Sequence, residues 1–193
     1  CHSAGGGDSV LIVEDGWLVS RSISRWKRDE NGQPRSKKLC QLKGQAQFLV
    51  SPDNSRAVVL QEDINIGHYS LYVIEGEDAL DPANPATGKQ YELPCSKLVV
   101  AFWFSPDSTK LLLLMAANKA KEEVVSQKSD FRVPLNADMQ FAVHNFPLNE
   151  LREYETFKPT PYFMKTNVPF FSQYAQVYNP WAPDSKSFCY ITP

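Results

Sequence analysis

Apolar residues in this chain come in short runs, each closed by a cluster of turn-forming residues. Leu98-Val-Val-Ala-Phe-Trp-Phe104 leads into Ser105-Pro-Asp-Ser-Thr109 and then into Lys110-Leu-Leu-Leu-Leu-Met115. Neither run alternates between apolar and polar positions, so each reads as a strand covered on both faces, and the polar block leaves each too short to stand as a helix. The predicted element is a buried β-hairpin. Its turn is chemically explicit: Pro106 presets φ at the first corner, while Ser105 and Asp107 carry side chains that bond nearby backbone amides.

The same unit occurs twice more. Ala46-Gln-Phe-Leu-Val50, Ser51-Pro-Asp-Asn-Ser55 and Arg56-Ala-Val-Val-Leu60 form one copy; Val177-Tyr-Asn-Pro-Trp181, Ala182-Pro-Asp-Ser185 and Ser187-Phe-Cys-Tyr-Ile191 form the other. From Pro52 to Pro106 is 54 residues, and from Pro106 to Pro183 is 77. A four-stranded propeller blade takes roughly 40–50 residues, so these spacings fit one blade with a modest insertion and one with long loops.

Ser9-Val-Leu-Ile-Val13 and Trp17 to Ser24 read as neighbouring strands across an Asp15-Gly16 hairpin signal. After a charged loop from Lys27 to Lys38, Leu39 to Leu42 supplies a third, making residues 9–43 an incomplete blade. The next blade, 46–94, continues through Tyr69–Ile74 to Gln90–Leu93; blade 98–158 continues through Met139–His144 to Leu151–Phe157; residues 177–193 begin another. Outer strands are more polar than inner ones, as expected where the outer edge meets water. The predicted fold is all-β, a propeller segment of four-stranded antiparallel blades, about three plus the start of another, behind a flexible tail at 1–8. Further blades of a longer chain are expected to adjoin it.

The hydrophobic–Ser-Pro-Asp–hydrophobic signature, carried by Ser51, Pro52, Asp53, by Ser105, Pro106, Asp107 and by Pro183, Asp184, resembles the TolB-like repeat. That repeat also occurs in the N-terminal propellers of dipeptidyl-peptidase and prolyl-oligopeptidase type enzymes. The resemblance covers roughly residues 44–193. It departs from the pattern where glycine usually follows Pro-Asp: Asn54, Ser108 and Ser185 stand there, and a type I turn is expected to tolerate them. The resemblance implies two functions: a binding or scaffolding propeller, or an accessory propeller to a prolyl-oligopeptidase type hydrolase domain lying outside these residues.

Composition narrows the remaining classes. The 193 residues are 42% hydrophobic and 22% charged with a formal net charge of −2, so the chain as a whole is not disordered, and no basic stripe marks a nucleic-acid partner. Apolar runs fall well short of the roughly 18 residues of a spanning helix. Cys1, Cys40, Cys95 and Cys189 lie far apart and only three histidines accompany them, so no zinc-ligand spacing exists and no metal or cofactor is expected. Cys40, Cys95 and Cys189 read as buried free thiols, with a disulfide left open.

Three local patterns touch on chemistry. Cys1-His-Ser-Ala-Gly5 approaches a nucleophile elbow with Ser3 in place, but an elbow needs a strand before it and a helix after it, and a glycine-rich tail is the better reading. Val10 to Trp26 resembles the start of a receiver domain, with Glu14 and Asp15 as its acid pair, though no later strand ends in the phosphorylatable Asp. Asp63-Ile-Asn-Ile-Gly67 has the start of a calcium loop without its closing glutamate and reads as a β-turn. No catalytic residue is assigned. Glu75, Glu77, Asp78 and Asp81 read as a solvated loop face.

The strongest functional signal is topological. In an up-and-down sheet, the loops after second and fourth strands leave from one end, which places the insertions at 117–138 and 158–176 together. The second is rich in aromatics, and Tyr162, Phe163, Phe170, Phe171 and Tyr174 are the candidate contact residues for a protein or peptide partner. The alternative is that they tuck beneath the loop as a satellite core.

Overall fold

The computed structural model describes residues 2–4, 8–26, 28–63, 68–76, 78–84, 88–120, 137–167 and 177–190. Among the described residues, twelve strands build three four-stranded antiparallel sheets, and in each the strands follow one another in chain order. The chain divides into two units. Unit one comprises residues 1–66 and 70–93, and unit two comprises 67–69 and 94–193.

Unit one carries two sheets. In the first, β1 (His2–Ala4), β2 (Ser9–Glu14), β3 (Trp17–Ser22) and β4 (Ser36–Gln41) lie side by side. The expected flexible tail is therefore partly a strand, with His2 opposite Leu11 and Ala4 opposite Ser9, and the sheet has four strands where the hydrophobic pattern supplied three. A strand held by backbone pairing to the open edge of β2 leaves no apolar signature to read. Asp15 and Gly16 have φ of 49° and 77°, the type I′ geometry of a two-residue hairpin between Glu14 and Trp17.

The second sheet contains β5 (Ala46–Val50), β6 (Arg56–Asp63), β7 (His68–Glu75) and β8 (Lys89–Glu92). Leu11, Leu18 and Cys40 of the first sheet share one core with Ala57, Val59 and Ile74 of the second. Leu80, from the acidic loop, enters that core as well. Ser20 Oγ donates to Leu80 O at 2.5 Å and Lys37 Nζ to Ala79 O at 2.8 Å, so the loop read as a solvated face is pinned at its middle. Gly88 makes the fold-back possible: a Cβ there would sit 2.7 Å from the Ala79 Cβ and 2.8 Å from Glu75 O.

Unit two is built on β9 (Lys97–Phe104), β10 (Lys110–Ala120), β11 (Met139–Asn145) and β12 (Glu150–Phe157). The three inner strands are buried nearly throughout, as their unbroken apolar runs require, whereas the outer β12 is exposed along most of its length. Trp103, Leu112, Leu114, Met139 and Phe141 form the centre of the core, joined by Phe163 and by Trp181 from the last copy of the repeat. That copy forms a short hairpin held by a Trp181–Phe188 bridge and by a bond from Cys189 N to Pro180 O.

The two Ser-Pro-Asp turns repeat the same bonds, and the third copy, with Ala182 in the serine's place, keeps part of them. Ser51 Oγ donates to Asp53 Oδ1 at 2.7 Å and accepts from Arg56 N at 3.0 Å; Ser105 Oγ donates to Asp107 Oδ1 at 2.6 Å and accepts from Lys110 N at 2.9 Å. The aspartate then accepts the amide two residues on, from Ser55, Thr109 and Lys186 in the three copies. The expected tolerance of the post-Asp position needs correcting in its reason. Asn54, Ser108 and Ser185 follow the turn's two corners and have φ of 59°, 61° and 59°, in the left-handed region where glycine is favoured. Here the turns hold non-glycine residues there, two of them buried serines.

Candidate functional site

The register of unit two decides where its insertions emerge. Ala116 of β10 lies opposite Met139 of β11, which in turn lies opposite Phe157 of β12. β10 and β12 both run toward this end of the sheet. Ala117 N donates to Asp138 O at 2.7 Å, closing the base of the first insertion on itself. A single turn of π-helix, Phe163–Asn167, follows β12, and Thr160 Oγ1 accepts from Phe163 N at its start.

Within the described residues the two aromatic candidates separate. Tyr162 is 73% exposed; Phe163 is 4% exposed and stands edge-on to Phe157 at 6.1 Å. The same turn thus presents one ring to solvent and anchors itself to the core with the next, beside buried Pro159. Phe170, Phe171 and Tyr174, with residues 121–136 of the first insertion, lie outside the described residues.

No protein-family model matches the chain, and no curated protein does. Among solved structures, it is similar to a putative TolB from Agrobacterium tumefaciens, at 13% identity and a TM-score of 0.46 over 79% of this chain and 47% of that one. Its similarity to the tricorn protease is at 13% identity and a TM-score of 0.45, over 76% of this chain and 13% of that one. A Pyrococcus horikoshii acylaminoacyl peptidase is similar at 12% identity and a TM-score of 0.38, over 79% of this chain and 22% of that one. The chain spans less than half the length of each.

An aromatic group that the sequence pattern did not single out extends from the Phe163 anchor. Phe157 stacks on Tyr190 at 5.7 Å, Tyr190 lies 4.4 Å from Phe141, and Tyr154 meets Phe188 edge-on at 5.4 Å. Tyr154 and Tyr190 are 38% and 40% exposed, so the group's outer rim reaches solvent. Phe188 and Tyr190, two residues apart, look like ordinary strand patterning in the last copy, whereas Tyr154 and Phe157 are three apart along β12, where the pairing shifts register opposite Gln140 and Ala142.

Polar groups around the same end are arranged in pairs. Lys97 Nζ reaches Gln140 Oε1 at 2.6 Å and Glu153 Oε2 at 2.5 Å, and Gln140 Nε2 donates to Tyr154 O at 2.6 Å. These bonds tie β9 and β12 to β11 near the sheet end where β10 and β12 finish. At the opposite end, burial raises the Asp107 carboxyl, but hydrogen bonds from Ser105 and Thr109 and the Lys110 charge outweigh it and bring it to about 2.

The other chemical patterns resolve as structure. Ser3 lies in β1 opposite Val10, in an extended segment without the strand-to-helix bend of an elbow. Glu14 pairs with Arg21 at 2.5 Å and Asp15 occupies the hairpin turn, so neither is set out as a receiver-type acid pair. Of the calcium-like loop, residues 64–67 lie outside the described residues. Cys40 and Cys95 are buried thiols, with burial pushing the Cys40 thiol up to about 11, whereas Cys189, expected to be buried, is exposed. Among the described residues no helix is long and apolar enough to cross a membrane.

Proposed function

We propose that this chain is a segment of a β-propeller that serves as a binding scaffold, contacting a protein or peptide partner through the sheet end that bears the two insertions. The blade reading is supported by three four-stranded sheets in up-and-down order, two of them opening on the same Ser-Pro-Asp hairpin. The observation that carries the functional reading is the register that puts the ends of β10 and β12 on either side of Met139. Two insertions of different composition then share one end of one sheet. At its edge Tyr162 offers a large ring to solvent on a turn whose neighbour, Phe163, is locked into the core. A rigid mount with an exposed aromatic is the usual anatomy of a contact hot spot.

The test is capture of partners by the full-length protein that contains this chain. Tyr162→Ala, combined with Phe170→Ala and Phe171→Ala, is expected to leave the denaturation midpoint within about 0.5 kcal/mol of the parent while abolishing capture. A variant that melts much earlier yet captures the same partners with unchanged affinity would return these rings to internal packing and end the proposal.

A further inference from the structure

We infer that the hairpin following β3 is a second contact surface, built to take an acidic peptide segment against Trp26 and the arginines around it. The extension that joins β3 to β4 carries six bases against two acids between Arg25 and Lys38, in a chain whose net charge is −2. Trp26 is 94% exposed, and Ile23, three residues earlier, is 57% exposed. A tryptophan so bare contributes nothing to the core. Its chemistry, a broad apolar face that also stacks on flat charged groups, is that of an interface anchor.

The hairpin is ordered by bonds that leave its positive charge unspent. Arg28 pairs with Pro34 across the hairpin, its Nη1 donates to Gly32 O, and Arg35 Nε donates to Arg28 O at 3.1 Å. Both guanidinium groups are steadied by backbone carbonyls, and among the described residues neither they nor Arg25 meet a carboxylate. Of the two local acids, Asp29 is engaged elsewhere: its Oδ1 accepts from Asn31 N and Gln33 N. Lys38 lies over the Trp17 ring at 5.0 Å and Lys37 reaches Ala79 O, which leaves the three arginines as the available cations among the described residues.

The occupant follows from charge and shape. Steadied guanidinium forks match carboxylates in paired bonds, a fit that a lysine-rich surface lacks. Two exposed apolar side chains are too few to hold a membrane surface, which needs a whole apolar face, and suit instead one or two apolar residues of a peptide. A glutamate- and aspartate-rich segment with an apolar residue in its middle satisfies both features.

The experiment titrates the chain against a fluorescein-labelled peptide of about ten residues, with glutamates and aspartates flanking a phenylalanine, read by anisotropy. Saturable binding that weakens with salt, falls about tenfold in Trp26→Ala and falls again in Arg25→Ala supports the inference. Both side chains are exposed and, among the described residues, make no bond to the fold, so loss of folding does not confuse the result. Arg28→Lys with Arg35→Lys keeps the charge and removes the forks, and is also expected to weaken binding. Absence of binding, or binding unchanged by Trp26→Ala and Arg25→Ala, overturns it. So does tighter binding to phosphatidylserine vesicles or to a single-stranded oligonucleotide than to the peptide.

Discussion

The hairpins at 97–120 and 177–190 are built on the same turn and reach different ends. In the first, Ser105 holds Asp107 and Lys110 through its hydroxyl, and the arms run on as β9 and β10 for 8 and 11 residues. In the second, Ala182 stands where the serine was, and the arms make a bridge and little more. Yet the second turn keeps its form: Ser185 N donates to Ala182 O at 2.9 Å, and Lys186 N to Asp184 Oδ1 at 3.0 Å. Turn chemistry is therefore local and survives without strands. Strand length depends on what lies alongside, since β10 has β9 on one side and β11 on the other.

The second hairpin is held to the first instead. Trp181 Nε1 donates to Trp103 O at 3.2 Å, Asn179 Nδ2 to Phe104 O at 3.0 Å, and Ser185 Oγ accepts from Asp107 N at 3.0 Å. Lys110 Nζ adds a bond to Ser185 O at 3.1 Å. One turn thus clasps the next through a hydroxyl that glycine would lack, which accounts for a serine in a left-handed position at 185.

The comparison breaks most visibly at the two tryptophans. Trp103→Ala removes a fully buried indole and is expected to cost about 3–5 kcal/mol in denaturant unfolding. Trp181→Ala, on the peripheral hairpin, should cost less, about 2–3 kcal/mol, and should increase hydrogen exchange at 177–190 ahead of β9. Equal costs with no local difference in exchange would mean that the two hairpins behave as one cooperative element.

Next in size is the turn serine. Ser105→Ala leaves the Lys110 amide and the Asp107 carboxylate each short of a partner and is expected to cost about 1–2 kcal/mol. The reverse substitution, Ala182→Ser, should gain up to about 1 kcal/mol if the last turn can adopt the same bonding. A neutral Ser105→Ala would make the serine a passenger in the motif.

Acid should act on the first hairpin with a definite sign. The Asp107 carboxyl sits at about 2 in the fold, below its ordinary 3.8, so its contribution is complete above about pH 4 and is lost as pH falls through 2. The side chain is 44% exposed, so solvent screening keeps the effect below about 1 kcal/mol. Asp107→Asn should flatten the stability profile over that window, and an unchanged slope in urea titrations at pH 2 to 4 would assign the acid sensitivity to other groups.

The smallest effects belong to the left-handed position. Asn54→Gly relieves a mild backbone cost and should gain a few tenths of a kcal/mol at most. Ser185→Gly gives the same relief but loses the bond to Asp107 N, leaving a net change near zero or unfavourable. A clear gain at Ser185 would show that the clasp between turns contributes nothing.

Much of this architecture is legible in the residues. Ser-Pro-Asp between apolar runs states a turn because proline presets one dihedral and the two side chains bond within five residues, all of it local chemistry. Unbroken runs such as Leu98–Phe104 state burial on both faces, and the order of turns and runs states up-and-down pairing. Other features depend on chain segments meeting. β1 exists because an open strand edge met an extended segment, and Leu80 is core because Gly88 lets the acidic loop fold back. Tyr162 and Phe163, adjacent and alike in sequence, take opposite sides because one turn of π-helix aims only the second at Phe157. Residue type determined the turns and strands; which neighbour each side chain met, a matter of distance through space, only the tertiary structure decided.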